Sequence, residues 1–189
     1  MNRKHEIGTM KAILLYILSK WNGTQPCDVY HIVKTAFYAQ KYHLARYMCP
    51  LYHDKIIALP YGPAPSAMYD SLKIARGDEK AKSYHQRDGL MEVSAPVQFS
   101  NEIFGTIEEP DMRYISRSQV ECLDAALEEV GKMDFNEILN TTHQDEWYRA
   151  FHDPISKEMN PIAIAKEAGA DEASLDYLKE NLEIDKALA

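Results

Sequence analysis

The stretch Ala58-Leu59-Pro60-Tyr61-Gly62-Pro63-Ala64-Pro65 separates a short apolar run from an amphipathic one, and so decides how this chain is arranged. Each proline fixes its φ at roughly −65° and drives the preceding residue toward extended backbone, whereas Gly62 is free to take a positive φ. The run over residues 55–59 predicts a short strand, and the run over residues 66–75 predicts a helix. We call residues 58–65 the elbow, and its rigidity favours a recognition surface over a catalytic centre.

Helices are predicted along most of the remaining chain. Apolar residues recur three and four positions apart, which is the spacing of one helix face. Asp28 is a plausible N-cap, and Ser116 with Gln119 and Asp134 with Glu137 have the spacing of capping boxes. The predicted helices cover residues 7–21, 28–44, 66–75, 116–131, 134–139, 144–151, 160–168 and 171–182.

One further segment predicts β structure. Lys82–Gln86 and Leu90–Val93 are separated by Arg87-Asp88-Gly89, and an Asp-Gly pair between two such runs is typical of a hairpin turn. The predicted fold is therefore mainly α, a compact helical domain with a small β element. That element consists of the short strand before the elbow and a β-hairpin near residues 82–94.

Charge is distributed unevenly between the two halves of the chain. Residues 1–100 carry 13 Lys and Arg against 8 Asp and Glu, a balance of +5, and residues 101–189 have a balance of −13. The acidic half argues against a nucleic-acid partner there and favours a basic protein surface, although acidic helices also serve solubility alone. The apolar run over residues 12–18 is too short to span a bilayer and lacks a cleavage site, so we expect no membrane segment and no export.

Signatures of catalysis and cofactor binding are missing from the sequence. There is no Gly-rich phosphate loop, nucleophile elbow, HExxH motif or paired-cysteine zinc spacing. The three cysteines, Cys27, Cys49 and Cys122, are expected to be reduced in a cytoplasmic protein, and we expect no metal and no cofactor. His143, next to Asp145 and Glu146, is the one acid–base candidate, and its alternative is a capping or packing role at a helix start.

The aromatic residues are better candidates for function. The chain has twelve tyrosines and two tryptophans, and such side chains commonly anchor protein interfaces. Their alternative role is ordinary core packing with the hydroxyl group reaching water. The candidate protein-binding residues are Tyr38, Tyr42, Tyr61, Gly62, Pro63, Pro65, His143 and Trp147.

Three segments in a fixed order resemble a known family. They are the helix Val33-Lys34-Thr35-Ala36-Phe37-Tyr38-Ala39-Gln40-Lys41-Tyr42-His43-Leu44, the elbow, and the step Ile138-Leu139-Asn140-Thr141-Thr142-His143, with Trp147 after it. In this order they are similar to the Panacea domain, the SocA-like antitoxin domain related to phage GepA-type proteins. The resemblance spans roughly residues 8–152. It suggests a Panacea domain over residues 1–152 and an acidic helical extension over residues 153–189, packed on it or appended to it.

The resemblance implies a function by protein binding. Members of the family act as antitoxins of bacterial or phage toxin–antitoxin pairs and neutralise their toxins by direct contact. The implied partner is a cognate protein toxin encoded beside the chain, and self-association stays open. Three alternatives remain: an adaptor that delivers the toxin to a protease, a transcriptional regulator, and an enzyme that uses His143.

Overall fold

The computed structural model describes residues 3–86 and 88–188 of the chain. Helices dominate this part and two short antiparallel hairpins interrupt them, which confirms the prediction of a mainly α fold with a small β element. In chain order the elements are α1 (Arg3–Lys20), α2 (Val29–Tyr47), β1 (Ile56–Leu59), β2 (Gly62–Pro65), α3 (Ser66–Ala75), α4 (Glu79–Tyr84), α5 (Leu90–Ser94), β3 (Val97–Ser100), β4 (Ile103–Thr106), the short 3₁₀ turn Met112–Tyr114, α6 (Arg117–Val130), α7 (Phe135–Thr142), α8 (Asp145–His152), α9 (Pro161–Glu167) and α10 (Glu172–Leu188).

Helix α2 lies at the centre of the molecule. The Asp28 carboxylate accepts a hydrogen bond from the backbone N–H of His31 at 2.9 Å, so it caps the helix as predicted. Every residue from His31 to Lys41 is buried, because α1, α3, α6, α9 and β2 pack around this helix. Because α2 is packed on all sides, it provides a fixed support for the β2 strand that lies against it.

The elbow is a β-hairpin and not one strand followed by an irregular bend. β1 pairs antiparallel with β2, with Leu59 opposite Gly62, and Pro60 and Tyr61 form the turn. Pro63 and Pro65 lack an N–H group, but only Ala64 between them needs to donate to β1, opposite Ile57. The other edge of β2 faces α2 instead of a further strand, which is where prolines are tolerated.

The hairpin predicted near residues 82–94 is wrong. Helices α4 and α5 occupy this segment, and Arg87 of the proposed turn lies outside the described residues. The Asp88 carboxylate accepts from the backbone N–H of Leu90 at 3.1 Å, and Gly89 precedes α5 with a φ of 87°. The Asp-Gly pair therefore starts a helix. The second hairpin lies further on and pairs β3 with β4.

The C-terminal segment packs against the rest of the structure. The backbone N–H of Ala58 donates to the carbonyl of Lys157, and that of Met159 donates to the carbonyl of Ile56, both at 2.8 Å, so this segment lies along the free edge of β1. Helix α9 packs on α2, and α10 packs on α9 and on the end of α2. The prediction of a helical extension is compatible with this arrangement, and a domain boundary at residue 152 stays a prediction.

Candidate functional site

The turn of the β1–β2 hairpin presents Tyr61 to solvent. Its side chain is 65% exposed, although both flanking strands are largely buried. Pro60 fixes one of the two turn residues, and Gly62 ends the turn with a φ of 90°, a conformation that disfavours side chains. The tip is therefore an exposed aromatic ring on a short, conformationally restricted turn.

A buried lysine holds the hairpin from below. Lys34, on α2, is 2% exposed, and its Nζ donates to the carbonyl oxygen of Pro63 at 2.8 Å. That acceptor is neutral, and burial lowers the pKa of Lys34 to about 7. The carbonyl lies on the edge of β2 that has no neighbouring strand, so the lysine takes the place of a ladder partner there.

Gly62 is where α2, the hairpin and α7 meet. A Cβ atom at this position would lie 2.7 Å from Thr142 Oγ1 and 2.8 Å from Lys34 Nζ. Thr142 is itself fixed, because its hydroxyl donates to the carbonyl of Ile138 at 2.7 Å. Glycine is thus required both for the left-handed backbone and for the close approach.

The end of α7 and the start of α8 close the site on the other side. Tyr38 and Thr141 share a hydrogen bond between their hydroxyl groups, 2.6 Å long, that joins α2 to α7. The Trp147 indole N–H donates to the carbonyl of Leu59 at 3.0 Å and so joins α8 to β1. The Trp147 ring also stacks on His143, with centroids 3.5 Å apart and planes 4° apart.

His143 is arranged for packing. Its backbone N–H caps α7 by donating to Leu139, and its Nε2 is shut off from solvent with no hydrogen-bond partner among the described residues. Burial and the nearby Lys34 charge lower the pKa of His143. The neighbouring Glu146 carboxylate accepts hydrogen bonds from the Arg149 guanidinium, at 2.7 and 2.8 Å, and from the backbone N–H of Asn160. The capping and packing interpretation of His143 fits this geometry better than an acid–base cluster.

The candidate binding residues therefore fall into two groups. Tyr61 is strongly exposed, and Tyr42 and His143 are partly exposed, with the Tyr42 hydroxyl bonded to Glu129. The other candidates are buried and act as the support of the turn: Tyr38, Gly62, Pro63, Pro65 and Trp147.

Comparison with known protein families gives a match. The family model described as antitoxin SocA-like, Panacea domain, matches residues 32–148. The chain belongs to this family. No curated protein and no solved structure gives a significant match.

The matched region contains the whole support of Tyr61. In this Panacea domain the helix, the elbow and the Thr-His step, far apart in sequence, meet through Lys34, Gly62 and Thr142. The match ends before α9 and α10. The three segments that carry the sequence resemblance are thus those that hold the exposed turn.

Sequence reasoning missed three residues of this site. Lys34 lies in the motif helix but carries no signal of burial, because a lysine is ordinarily solvated. Tyr30 and Phe135 lie next to each other, with ring centroids 4.7 Å apart, and Phe135 is 6.0 Å from Tyr61 in a T-shaped contact. Phe135 lies in the helix predicted over residues 134–139, and its 42% exposure was not predicted.

Metal ligation has no support in the part of the chain that the structure describes. Across residues 3–86 and 88–188, no three His, Cys, Asp or Glu side chains are grouped so as to hold an ion. Cys49 Sγ lies 3.8 Å from His43 Nδ1, and that nitrogen also lies 2.9 Å from the Cys49 carbonyl oxygen, so the pair is a local contact.

Gly62→Ala is expected to lower the free energy of unfolding by about 3 kcal/mol, because a methyl group there meets Thr142 and Lys34 and the backbone is left-handed. Gly77→Ala is the matched control. Gly77 has a φ of 96° with nothing within 4 Å of its Cβ position, so only about 1 kcal/mol of backbone strain is expected. Chemical denaturation of both variants measures the difference. Equal losses would show that the close approach at Gly62 contributes nothing.

Proposed function

We propose that this protein is the antitoxin of a toxin–antitoxin pair and neutralises its toxin by direct contact through the tip of the β1–β2 hairpin. The observation that carries the proposal is the exposed Tyr61 on a turn held by Lys34, Thr142 and Trp147. Membership of the SocA-like antitoxin family gives the general role. The mode of binding is inferred from the geometry.

Rigidity of the turn is what suits it to binding. Ordering a flexible loop at an interface costs conformational entropy, and a loop that is already fixed avoids that cost. Here prolines restrict the backbone, and hydrogen bonds from Lys34 and Trp147 hold both strands of the hairpin. A tyrosine in this setting can become buried against a partner with little further loss of freedom.

The proposed partner is a protein toxin encoded beside this chain. The test is co-expression of the two genes. The antitoxin should restore growth, and the two proteins should co-purify as a stable complex. Rescue without a detectable complex at high protein concentration would contradict direct neutralisation, and rescue that depends on a cellular protease and on loss of the toxin would favour the adaptor role instead.

The other two alternatives have less support. An enzyme that uses His143 would need that ring to meet a substrate, but Trp147 covers one face of it and its Nε2 is enclosed. A regulator would need a nucleic-acid surface, for which the favourable signs are the balance of +5 over residues 1–100 and the helical N-terminus, but the sequence has no recognition helix with clustered Arg, Asn and Gln. A salt-dependent shift of promoter DNA by the purified protein would revive that alternative.

We propose that the protein works in the cytoplasm, as the sequence predicts. No helix within the described ranges combines the length and apolar character needed to cross a membrane. The three cysteines are unpaired, as expected in a reducing compartment. Fractionation of cells that produce the protein at natural levels tests this assignment.

Tyr61→Ala is expected to weaken toxin binding by about 2 kcal/mol, roughly 30-fold in Kd, because a hot-spot tyrosine loses its buried contact area. The melting temperature should barely change, since the side chain is mostly exposed. Tyr84→Ala is a matched control, because Tyr84 is 84% exposed on α4. Calorimetric titration and thermal melts on the same samples separate the two effects. A large fall in melting temperature with unchanged affinity of the folded fraction would refute the anchor role.

A further inference from the structure

The aromatic row Tyr30, Phe135 and Tyr61 continues the exposed turn across the surface. The ring centroids of Tyr30 and Phe135 are 4.7 Å apart, and those of Phe135 and Tyr61 are 6.0 Å apart. The planes of the last two rings are inclined at 65°. Phe135 and Tyr61 are 42% and 65% exposed. Two large, partly exposed rings that meet at an angle form a corner.

Two exposed carboxylates lie close to Phe135 in sequence. Asp134 precedes Phe135 and Glu137 follows it, and both are exposed. Each also caps α7, since Asp134 accepts from the Glu137 N–H at 2.9 Å and Glu137 accepts from the Asp134 N–H at 2.8 Å. The positive end of the helix dipole, about half a charge, offsets only part of the two negative charges. The nearby Lys132 is already paired with Glu128 at 2.7 Å.

We infer that the corner between Phe135 and Tyr61, together with the exposed Asp134 next to Phe135 in sequence, binds an arginine side chain of the toxin. This inference rests on the proposed neutralisation by direct contact and names the chemistry of the partner. An aromatic face attracts a cation, and a planar guanidinium can stack on a ring while it donates to carboxylates at its edge. A lysine ammonium cannot do both in the same way.

The cation belongs at Phe135 and Tyr61 and not at Tyr30. Lys34 Nζ already lies over the Tyr30 ring, 5.2 Å from its centre, so a second cation would compete with it there. Phe135 and Tyr61 lie further along the row, on its exposed side. The balance of −13 over residues 101–189 adds a longer-range attraction for a basic segment.

The test uses the protein encoded by the neighbouring toxic gene and measures its Kd for four antitoxin variants. Phe135→Leu and Tyr61→Leu keep apolar volume but remove the aromatic face. Asp134→Asn removes a charge but keeps a good N-cap residue. Asp78→Asn is the matched control, because Asp78 also caps a helix, α4, by accepting from the Ala81 N–H. Circular dichroism melts confirm that each variant is folded.

The leucine variants are expected to weaken binding by about tenfold each. Asp134→Asn should weaken it by about threefold and reduce its salt dependence between about 50 and 300 mM NaCl, while Asp78→Asn stays at the wild-type value. Unchanged binding by both leucine variants, with the wild-type complex intact, would overturn the inference and leave the proposed function standing. Losses at the aromatic positions with no change at Asp134 and no salt dependence would identify an apolar anchor and refute the arginine. A wild-type protein that does not bind the toxin would refute both proposals.

Discussion

Lys34→Met should make the protein more stable than the wild type near pH 7 and less stable near pH 10. The wild-type lysine has its pKa lowered to about 7 by burial, against an ordinary value of 10.5. Methionine fills a similar volume without a charge. The reversal in sign comes from two opposing contributions of the lysine.

The first contribution is the cost of burying a charge. Between pH 7 and 10.5 the unfolded chain holds the lysine proton and the folded chain has lost it, so the free energy of unfolding rises with pH across this window. The rise amounts to roughly 4 kcal/mol in total for a shift of this size. At pH 7 the wild type therefore bears the cost of the buried charge, whereas Lys34→Met has no ionisable group at this position and bears no such cost.

The second contribution is the hydrogen bond to Pro63. Neutral Lys34 at high pH still donates to that carbonyl, and methionine leaves it without a partner, which costs about 1–3 kcal/mol. When the two effects are combined, the wild type and Lys34→Met are expected to have equal free energies of unfolding at about pH 9. Lys80→Met, which removes an exposed ammonium on α4, is the control. Urea denaturation from about pH 6.5 to about pH 10 measures all three proteins, and a pH-independent difference between the wild type and Lys34→Met would show that Lys34 titrates as an ordinary surface lysine.

Most helices of this fold are predictable because their ends are marked chemically. The capping boxes at Ser116 and Asp134 both form, and α3 spans the predicted residues 66–75. Asn160 caps α9 through the N–H of Ile162 at 2.9 Å. At Ser116, Asp134 and Asn160 a side chain satisfies a free backbone N–H nearby in sequence, so no knowledge of tertiary structure is needed. At α3 the preceding proline marks the boundary instead.

Both hairpins were harder to predict, for different physical reasons. The turn between β3 and β4 consists of Asn101 and Glu102, both with positive φ (51° and 65°). Glutamate carries no preference for that conformation, so the sequence offered only half of the usual signal. In the elbow, Pro63 and Pro65 argue against a strand unless its outer edge has no ladder partner, which is a tertiary fact.

The candidate site was predictable only in outline. The elbow and Tyr61 stood out locally, because proline and glycine restrict or free the backbone by themselves. The burial of Tyr38 and Lys34 depends on α2 being covered on all sides, so helical periodicity could not separate inner from outer positions there. The exposure of Phe135 was not predictable either. Its ring extends the surface of Tyr61 only because α7 packs beside the hairpin, which is a tertiary contact.

Removal of residues 153–189 is expected to unfold the remaining chain. Four large apolar side chains of this segment are buried: Met159, Ile164, Leu175 and Leu178. Loss of their burial, at about 2 kcal/mol each, removes a large part of the 5–15 kcal/mol that stabilises an ordinary domain. The truncation also removes the backbone segment along β1 and the Asn160 N–H that satisfies Glu146, a side chain 5% exposed. The proposal is that the acidic segment belongs to the same folding unit as the family region.

Point variants in the full chain test the same proposal without a truncation. Leu178→Ala, at a fully buried position of α10, should lower the free energy of unfolding by about 3 kcal/mol, while its neighbour Tyr177→Ala, 54% exposed, should change it by less than about 0.5 kcal/mol. Denaturation is followed by circular dichroism, which reports on the helices, and by tryptophan fluorescence in a Trp21→Phe background, which reports on Trp147 at the site. Because α9 and α10 pack on α2, the two probes should give one coincident transition. If the truncated chain instead melts cooperatively near the wild-type temperature and still binds the toxin, residues 153–189 are an appended extension, and a domain that ends at residue 152 is the correct description.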